Sequence, residues 1–188
     1  PATGEEMDSA VRYMLSRGEN TLVLRYPALS AAKARQVMQQ ALSTVKLYCE
    51  QGYNTVSCSY SLAGDMTLTF SAAGAGDRTQ AYRTSAMEAA IEIHDQLWAD
   101  QQITSGMTEL EKARVYYTWV CENTVYDYQA GDESISHTPY SLFALGTAVC
   151  DGYTGAYNLL LKLEGIQCTS VFNDSHIWTS AVLDGTEY

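Results

Sequence analysis

The stretch Ala148-Val149-Cys150-Asp151-Gly152-Tyr153-Thr154-Gly155-Ala156-Tyr157-Asn158-Leu159-Leu160-Leu161 sets a cysteine at the front of a predicted helix. Ala156, Leu159, Leu160 and Leu163 recur at spacings of three and four, the stripe of a buried helix, and Gly165 supplies its stop. Gly152 lets neighbouring backbone come close to the first turn. A helix N-terminus carries partial positive charge and unpaired N–H groups, and the thiolate is the nucleophilic form of cysteine. His176 follows 26 positions after Cys150, on a predicted strand, as a candidate base for that thiol. The rest of the chain reads as scaffold that brings these two side chains together.

Downstream of the helix, 166–172 reads as a strand, Asn173-Asp174-Ser175 as a turn, and 176–183 as a second strand. The two-residue period puts His176, Trp178, Ser180 and Val182 on one face. Asp184-Gly185 is a hairpin-turn signal that predicts a further strand. With the sequence reaching Tyr188 so soon after, the expectation is a chain cut in mid-fold.

Upstream, Thr108-Glu109-Leu110-Glu111 is a capping box opening a helix to about 123, with Leu110, Ala113, Tyr117 and Val120 on its buried stripe. Residues 125–130 lead into the polar loop Gly131-Asp132-Glu133-Ser134. Thr138 as N-cap, Pro139 and Gly146 then bound a short helix. His137, at the loop's end, reads as a histidine on a cleft rim, with a lesser claim to be the base. His94, on a predicted helix over 79–100, reads as a surface histidine beside Glu92 and Asp95.

The first part of the chain predicts a helix over 5–17 and a strand over 20–26 that Pro27 stops. A helix capped by Ser30 follows, with Ala34, Met38, Ala41, Val45 and Tyr48 on one side and Gly52 at its end. Strands over 53–62 and 66–72 then form a hairpin through Ala63-Gly64-Asp65. This β-α-β-β unit shows no catalytic cluster and reads as a packing or interaction subdomain. Ala73-Gly74-Ala75-Gly76-Asp77 is the expected boundary, dividing the chain into 1–76 and 77–188.

Composition narrows the function classes. Hydrophobic residues make up 46% and charged residues 18%, enough apolar material for a folded core. Net charge is −11, from 22 acidic and 11 basic residues, with no clustered basic face, so nucleic acid is excluded as a partner. No apolar run approaches the roughly 18–20 residues that span a bilayer. The chain starts at Pro1 without Met, so it is expected to be a processed piece of a longer product. Few lysines and 14 tyrosines fit an exported bacterial protein, at the cell surface or outside the cell. Of the five cysteines none forms a C-x-x-C pair, so no structural metal site is expected. Cys49, Cys58, Cys121 and Cys168 read as buried free thiols, with Cys49–Cys58 the one disulfide considered as an alternative.

Three blocks carry a family likeness. They are the helix and exit Thr108…Trp119-Val120…Tyr126-Asp127-Tyr128; Val149-Cys150-Asp151-Gly152-Tyr153 with its Leu-rich helix and Gly165-Ile166; and His176-Ile177-Trp178 followed by Asp184-Gly185 and Tyr188. In this order the segment 108–188 resembles the transglutaminase-like superfamily. The resemblance implies an α+β fold, helices packed on a small antiparallel sheet around a papain-type core. It also implies a Cys–His–Asp triad acting on peptide or protein amides without metal or organic cofactor. Cys150 corresponds to the nucleophile and His176 to the base. The family's aspartate would fall a few residues beyond Tyr188; Asp184 sits in the turn and is not assigned to the triad. The piece in hand is therefore expected to be weakly active or inactive. Ile177 and Thr179 depart from the family's usual residues. The backbone N–H of Cys150 is the expected oxyanion donor, with Tyr140 or Trp178 lining that pocket. The alternative is a non-catalytic extracellular module that holds protein or cell wall and keeps the fold.

Overall fold

The computed structural model describes residues 4–25 and 29–188, and its elements follow the apolar spacing of the chain. Met7, Val11 and Met14 are buried along α1 (Gly4–Ser16) and Ala34, Val37, Ala41 and Val45 along α2 (Ala31–Lys46), each on one helical face. The Ser30 hydroxyl caps α2 by accepting from the Lys33 N–H at 3.3 Å. Both helices pack on a three-stranded antiparallel sheet in the order β1 (Thr21–Arg25), β3 (Asp65–Ser71), β2 (Thr55–Tyr60). The central strand alternates, with Met66, Leu68 and Phe70 turned into this core. Pro1, the expected sign of processing, and Pro27, expected to stop β1, lie outside the described residues.

A second core forms around α6 (Cys150–Leu163). It is enclosed by α3 (Thr79–Ala99), α4 (Glu109–Asn123) and α5 (Pro139–Leu145), which is why Ala156, Leu159, Leu160 and Leu161 are all buried. The capping box of α4 is complete. Thr108 Oγ1 accepts from the Glu111 N–H at 3.2 Å, and Glu111 Oε2 accepts from the Thr108 N–H at 2.9 Å. Against α6 lies an antiparallel sheet, β6 (Cys168–Phe172), β7 (Ile177–Leu183) and β8 (Thr186–Glu187). The strand expected after Asp184-Gly185 is thus present as a short one, pairing Leu183 with Thr186. The turn has a second use. The Asp184 carboxylate accepts from the N–H groups of Glu109 and Leu110 at 3.0 and 3.2 Å, capping α4 from a distant part of the chain. With six α-helices and small sheets among the described residues, the architecture is α+β.

One expectation is corrected here. His94 is not a surface residue: its Nε2 lies 3.3 Å from the buried Glu164 carboxylate. Glu164 also takes hydrogen bonds from Lys112 Nζ (2.7 Å), Tyr116 OH (2.8 Å) and Trp98 Nε1 (2.9 Å). Burial pushes this carboxyl up, and those donors outweigh it, holding it below the usual carboxylate range. The periodicity of α3 could not disclose a partner at the far end of α6. Nor do Cys49 and Cys58 pair; both are free thiols. Cys49 instead faces Ser170 Oγ at 2.9 Å, in the other half of the molecule.

The two cores touch closely. A Cβ on Gly155 of α6 would stand 2.7 Å from the Cys49 carbonyl oxygen, and one on Gly74 would stand 2.8 Å from the Glu133 carbonyl oxygen. The small residues of 72–76 therefore serve close packing: Ala72, Ala73 and Ala75 are buried. Lys162 of α6 reaches the buried Glu50, and the Ser170 N–H donates to the Leu47 carbonyl at 3.3 Å.

Candidate active site

The position of Cys150 is fixed from behind. Val149 is extended (φ −106, ψ −175) as the N-cap of α6, and its N–H donates to the Ser136 carbonyl at 3.0 Å. Just before it, β5 (Thr147–Ala148) pairs in parallel with β4 (Val125–Tyr126), Ala148 opposite Tyr126. That pairing sets Tyr126 on the wall of the same cavity as Cys150. Burial, with the neighbouring thiol second, pushes this phenol above its ordinary value. The Tyr126 ring stacks on Tyr153, centroids 6.0 Å apart.

β7, which begins just after His176, is tied to the cysteine's helix by polar side chains of α6. Thr154 Oγ1 lies 2.7 Å from the Cys150 carbonyl oxygen and 3.2 Å from that of Ile177, tying the start of β7 to the first turn of α6. One turn on, buried Asn158 accepts from Thr179 Oγ1 at 2.8 Å and donates to Ser170 Oγ at 3.1 Å. A buried amide must be satisfied, and the partners of Asn158 fix how β6 and β7 lie along the helix. Thr179, one departure from the family's usual residues, has this structural use. Trp178 stacks on His176 at 6.0 Å and 22°. Among the described residues the His176 ring has no hydrogen-bond partner.

Cys150, His176 and Ile177 line two cavities that meet at them. One, of about 280 Å³, is polar: Lys46, Asn54, Asp132, His137, Asp151 and Asp174 are among its walls. The other, of about 460 Å³, is walled by Tyr117, Val120, Tyr126, Tyr153, Tyr157 and Trp178. The cleft thus has two arms, one bordered by Asp and Lys side chains and one by none, with the thiol and the imidazole on both. Trp178 lies on the wall of the second arm. Tyr140 does not: α5 turns its ring onto Tyr82 of α3, centroids 4.0 Å apart, in a separate pocket with Glu50 and Arg83. The nearness of Tyr140 to Cys150 in sequence is offset by the direction α5 gives the side chain. The polar arm also draws on Lys46, Tyr53 and Asn54 from the first part of the chain, which carried no catalytic signature in the sequence.

His137 enters the polar arm rather than only its rim. Its Nδ1 lies 2.9 and 3.0 Å from the two oxygens of Asp151, the residue after the cysteine. Asn54 Nδ2 donates to its carbonyl at 3.3 Å. The bond to Asp151 raises His137 above the ordinary imidazole value against the effect of burial; Asp132 pulls the same way. A raised value means the pair stabilises the fold fully below about pH 6.5, the unperturbed value, and that this stability is lost as pH rises through the folded value. Asp151→Asn keeps an acceptor for the Gly152 N–H that Asp151 now satisfies and removes the charge. The difference in Tm between wild type and Asp151→Asn should therefore be larger at pH 6 than at pH 9. A gap that is constant or widens with pH would show that the pair does not titrate in this way.

Among the described residues, no group of three or more His, Cys, Asp or Glu side chains is placed to hold a metal ion. No described helix is long and apolar enough to cross a membrane.

Residues 96–188 match the family described as the transglutaminase-like superfamily. The human kyphoscoliosis peptidase is 30% identical over 79 residues, covering 41% of this chain and 12% of that protein. The mouse kyphoscoliosis peptidase is 29% identical over 66 residues, covering 34% of this chain and 10% of that protein. The chain thus spans a small part of the length of the curated relatives it matches. Among solved structures, a crystal structure of a TGase aligns with a TM-score of 0.44 at 13% identity, covering 89% of this chain and 49% of that one.

Proposed function

We propose that Cys150 and His176 are the reacting pair of the transglutaminase-like superfamily domain formed by residues 96–188, and that they carry out acyl transfer or hydrolysis on peptide or protein amides. The observation that carries the reading is the junction itself: a thiol on the first turn of a helix and an imidazole just before the adjoining strand border the same two arms. The thiolate of Cys150 attacks the carboxamide carbon, forming a C–S bond. The C–N bond then breaks, and the imidazolium of His176 delivers its proton to the leaving nitrogen. The carbonyl oxygen gains negative charge on the way and needs donors. The Cys150 N–H and the Tyr126 hydroxyl, whose residues both border the second arm, would supply them. Water or an amine, deprotonated by His176, releases the acyl group from the thioester.

Selective alkylation tests the pair. Cys49 is buried and its thiol is pushed up by burial, and burial pushes Cys168 up to about 11, so both should react slowly. Cys121 is the more exposed competitor. Iodoacetamide at neutral pH should modify Cys150 about tenfold faster than Cys121 or more, as expected for an activated thiol, and His176→Asn should remove that advantage. Equal, slow labelling of all five cysteines would overturn the reading. It would favour a binding module that keeps the fold, the alternative supported by the lack of a hydrogen-bond partner for the His176 ring among the described residues.

A further inference from the structure

A glutamine carboxamide held at Cys150 leaves the peptide backbone running in two directions past the site, and the cleft offers two arms that differ in chemistry. The polar arm carries Asp132, Asp151 and Asp174 with Lys46 and His137. The other arm contains no Asp, Glu, Lys or Arg. Its tyrosines stay uncharged at neutral pH, with burial pushing Tyr157 up to about 12 and raising Tyr153 as well. A charged group entering there would lose water and meet no Asp, Glu, Lys or Arg. An apolar group would gain contact area without that cost.

The rings are also disposed to accept another ring. Tyr126 and Tyr153 stack at 6.0 Å and 19°, and Tyr117 and Tyr157 meet edge to face at 6.1 Å and 77°. Around the mouth Tyr117 and Trp178 remain 60% and 41% exposed, and Tyr128 85%. Large aromatic side chains grouped at the surface beside a reactive centre mark a contact site better than scattered ones do. The arm's volume, about 460 Å³, lies within the ordinary range for ligand pockets.

We propose that this arm is the specificity pocket of the site and receives an aromatic side chain flanking the reacting carboxamide of a peptide substrate. The inference rests on Cys150 as nucleophile but is read out separately from catalysis. The aromatic side chain packs between Tyr117 and Trp178 at the mouth and Tyr153 and Tyr157 at the floor. The polar arm takes the other side of the peptide.

The probes are acetylated, amidated pentapeptides with a central Gln among glycines, and counterparts in which one flanking Gly becomes Phe, Ala or Glu. Two readouts are taken with the whole chain: protection of Cys150 from iodoacetamide and release of ammonia. At one of the two flanks the Phe peptide should protect Cys150, and be turned over, about tenfold better than the Ala or Glu peptide, the scale of discrimination an apolar pocket supplies. Trp178→Ala and Tyr117→Ala, each at an exposed position, should bring the Phe-to-Ala ratio to within about twofold. Equal protection by the peptides, absence of protection by any of them, or a Phe preference that survives both substitutions would overturn the proposal. Selective protection by the Phe peptide without ammonia release would sustain the pocket and refute the reaction.

Discussion

Cys150→Ser and His176→Asn should each abolish turnover of a carboxamide that the unmodified chain accepts, by a factor of about 10⁴ or more. In measured nucleophile–base systems, losing either member costs up to about 10⁶ in kcat, and losing both costs little more. The double variant should accordingly be no slower than the worse single one. The structure makes His176→Asn a clean test. The ring is exposed and gives up no hydrogen bond, so folding should be unaffected, with Tm moved by a degree or two at most. His137 provides the internal comparison. It shares the polar arm with Cys150, yet its Nδ1 is committed to Asp151. Activity within about tenfold of wild type in His176→Asn, far short of the loss expected for a catalytic base, would move that role to His137. Progress curves of ammonia release for the two histidine variants decide between them.

Gly152→Ala should be the most damaging substitution of a single hydrogen by a methyl group in this chain. An added Cβ would stand 2.5 Å from the Ser136 carbonyl oxygen, 2.9 Å from Ala148 Cβ and 3.1 Å from the Thr138 carbonyl oxygen. Two of these are backbone atoms and none is the tip of a flexible side chain, so the clash is relieved only by moving the turn before α5 or the start of α6. Overpacking of this kind costs about 1–3 kcal/mol and sometimes more. It opposes the roughly 1 kcal/mol that alanine gains over glycine inside a helix, and at such short distances the clash wins. Gly4, also helical, has nothing within 4 Å of an added Cβ. Gly4→Ala should therefore be neutral or slightly stabilising. Urea unfolding of the two variants checks the contrast, and a midpoint for Gly152→Ala at or above wild type would contradict the packing described. Because the same turn holds the Val149 N–H, alkylation of Cys150 should slow alongside.

Local signals carried most of the elements. Thr108 and Glu111, Thr138 with Pro139 and Gly146, and the Leu-rich stripe behind Cys150 each depend on residues within one or two turns. A single sequence displays such spacings directly. What it hid depends on distance along the chain. β4 and β5 hold two residues each, too few to show any period, yet their pairing sets Tyr126 on the wall of the same cavity as Cys150. Asn54 and Lys46 reach the polar arm from about a hundred positions away. His137 and Asp151 are 14 apart, and neither helical nor strand spacing predicts their meeting. Tyr140 lies only ten positions before the cysteine in the sequence, yet α5 turns its ring onto Tyr82. His94 sat among charged neighbours and still faced inward, because its partner Glu164 arrives from the end of another helix.

The seam between the two cores has a bearing on how such a chain can be rearranged. Gly155 leaves room for the Cys49 carbonyl, Glu50 answers Lys162, and Ser170 meets both Leu47 and Cys49. Detaching 77–188 would strand a lysine, open a hydrogen-bonded strand end to water, and strip one wall from the cavity beside the thiol. The reactive half is consequently no interchangeable cassette. A foreign partner grafted in front of it would have to reproduce a backbone oxygen at Gly155, an acid opposite Lys162 and a carbonyl beside Ser170 before any chemistry could be transplanted with it.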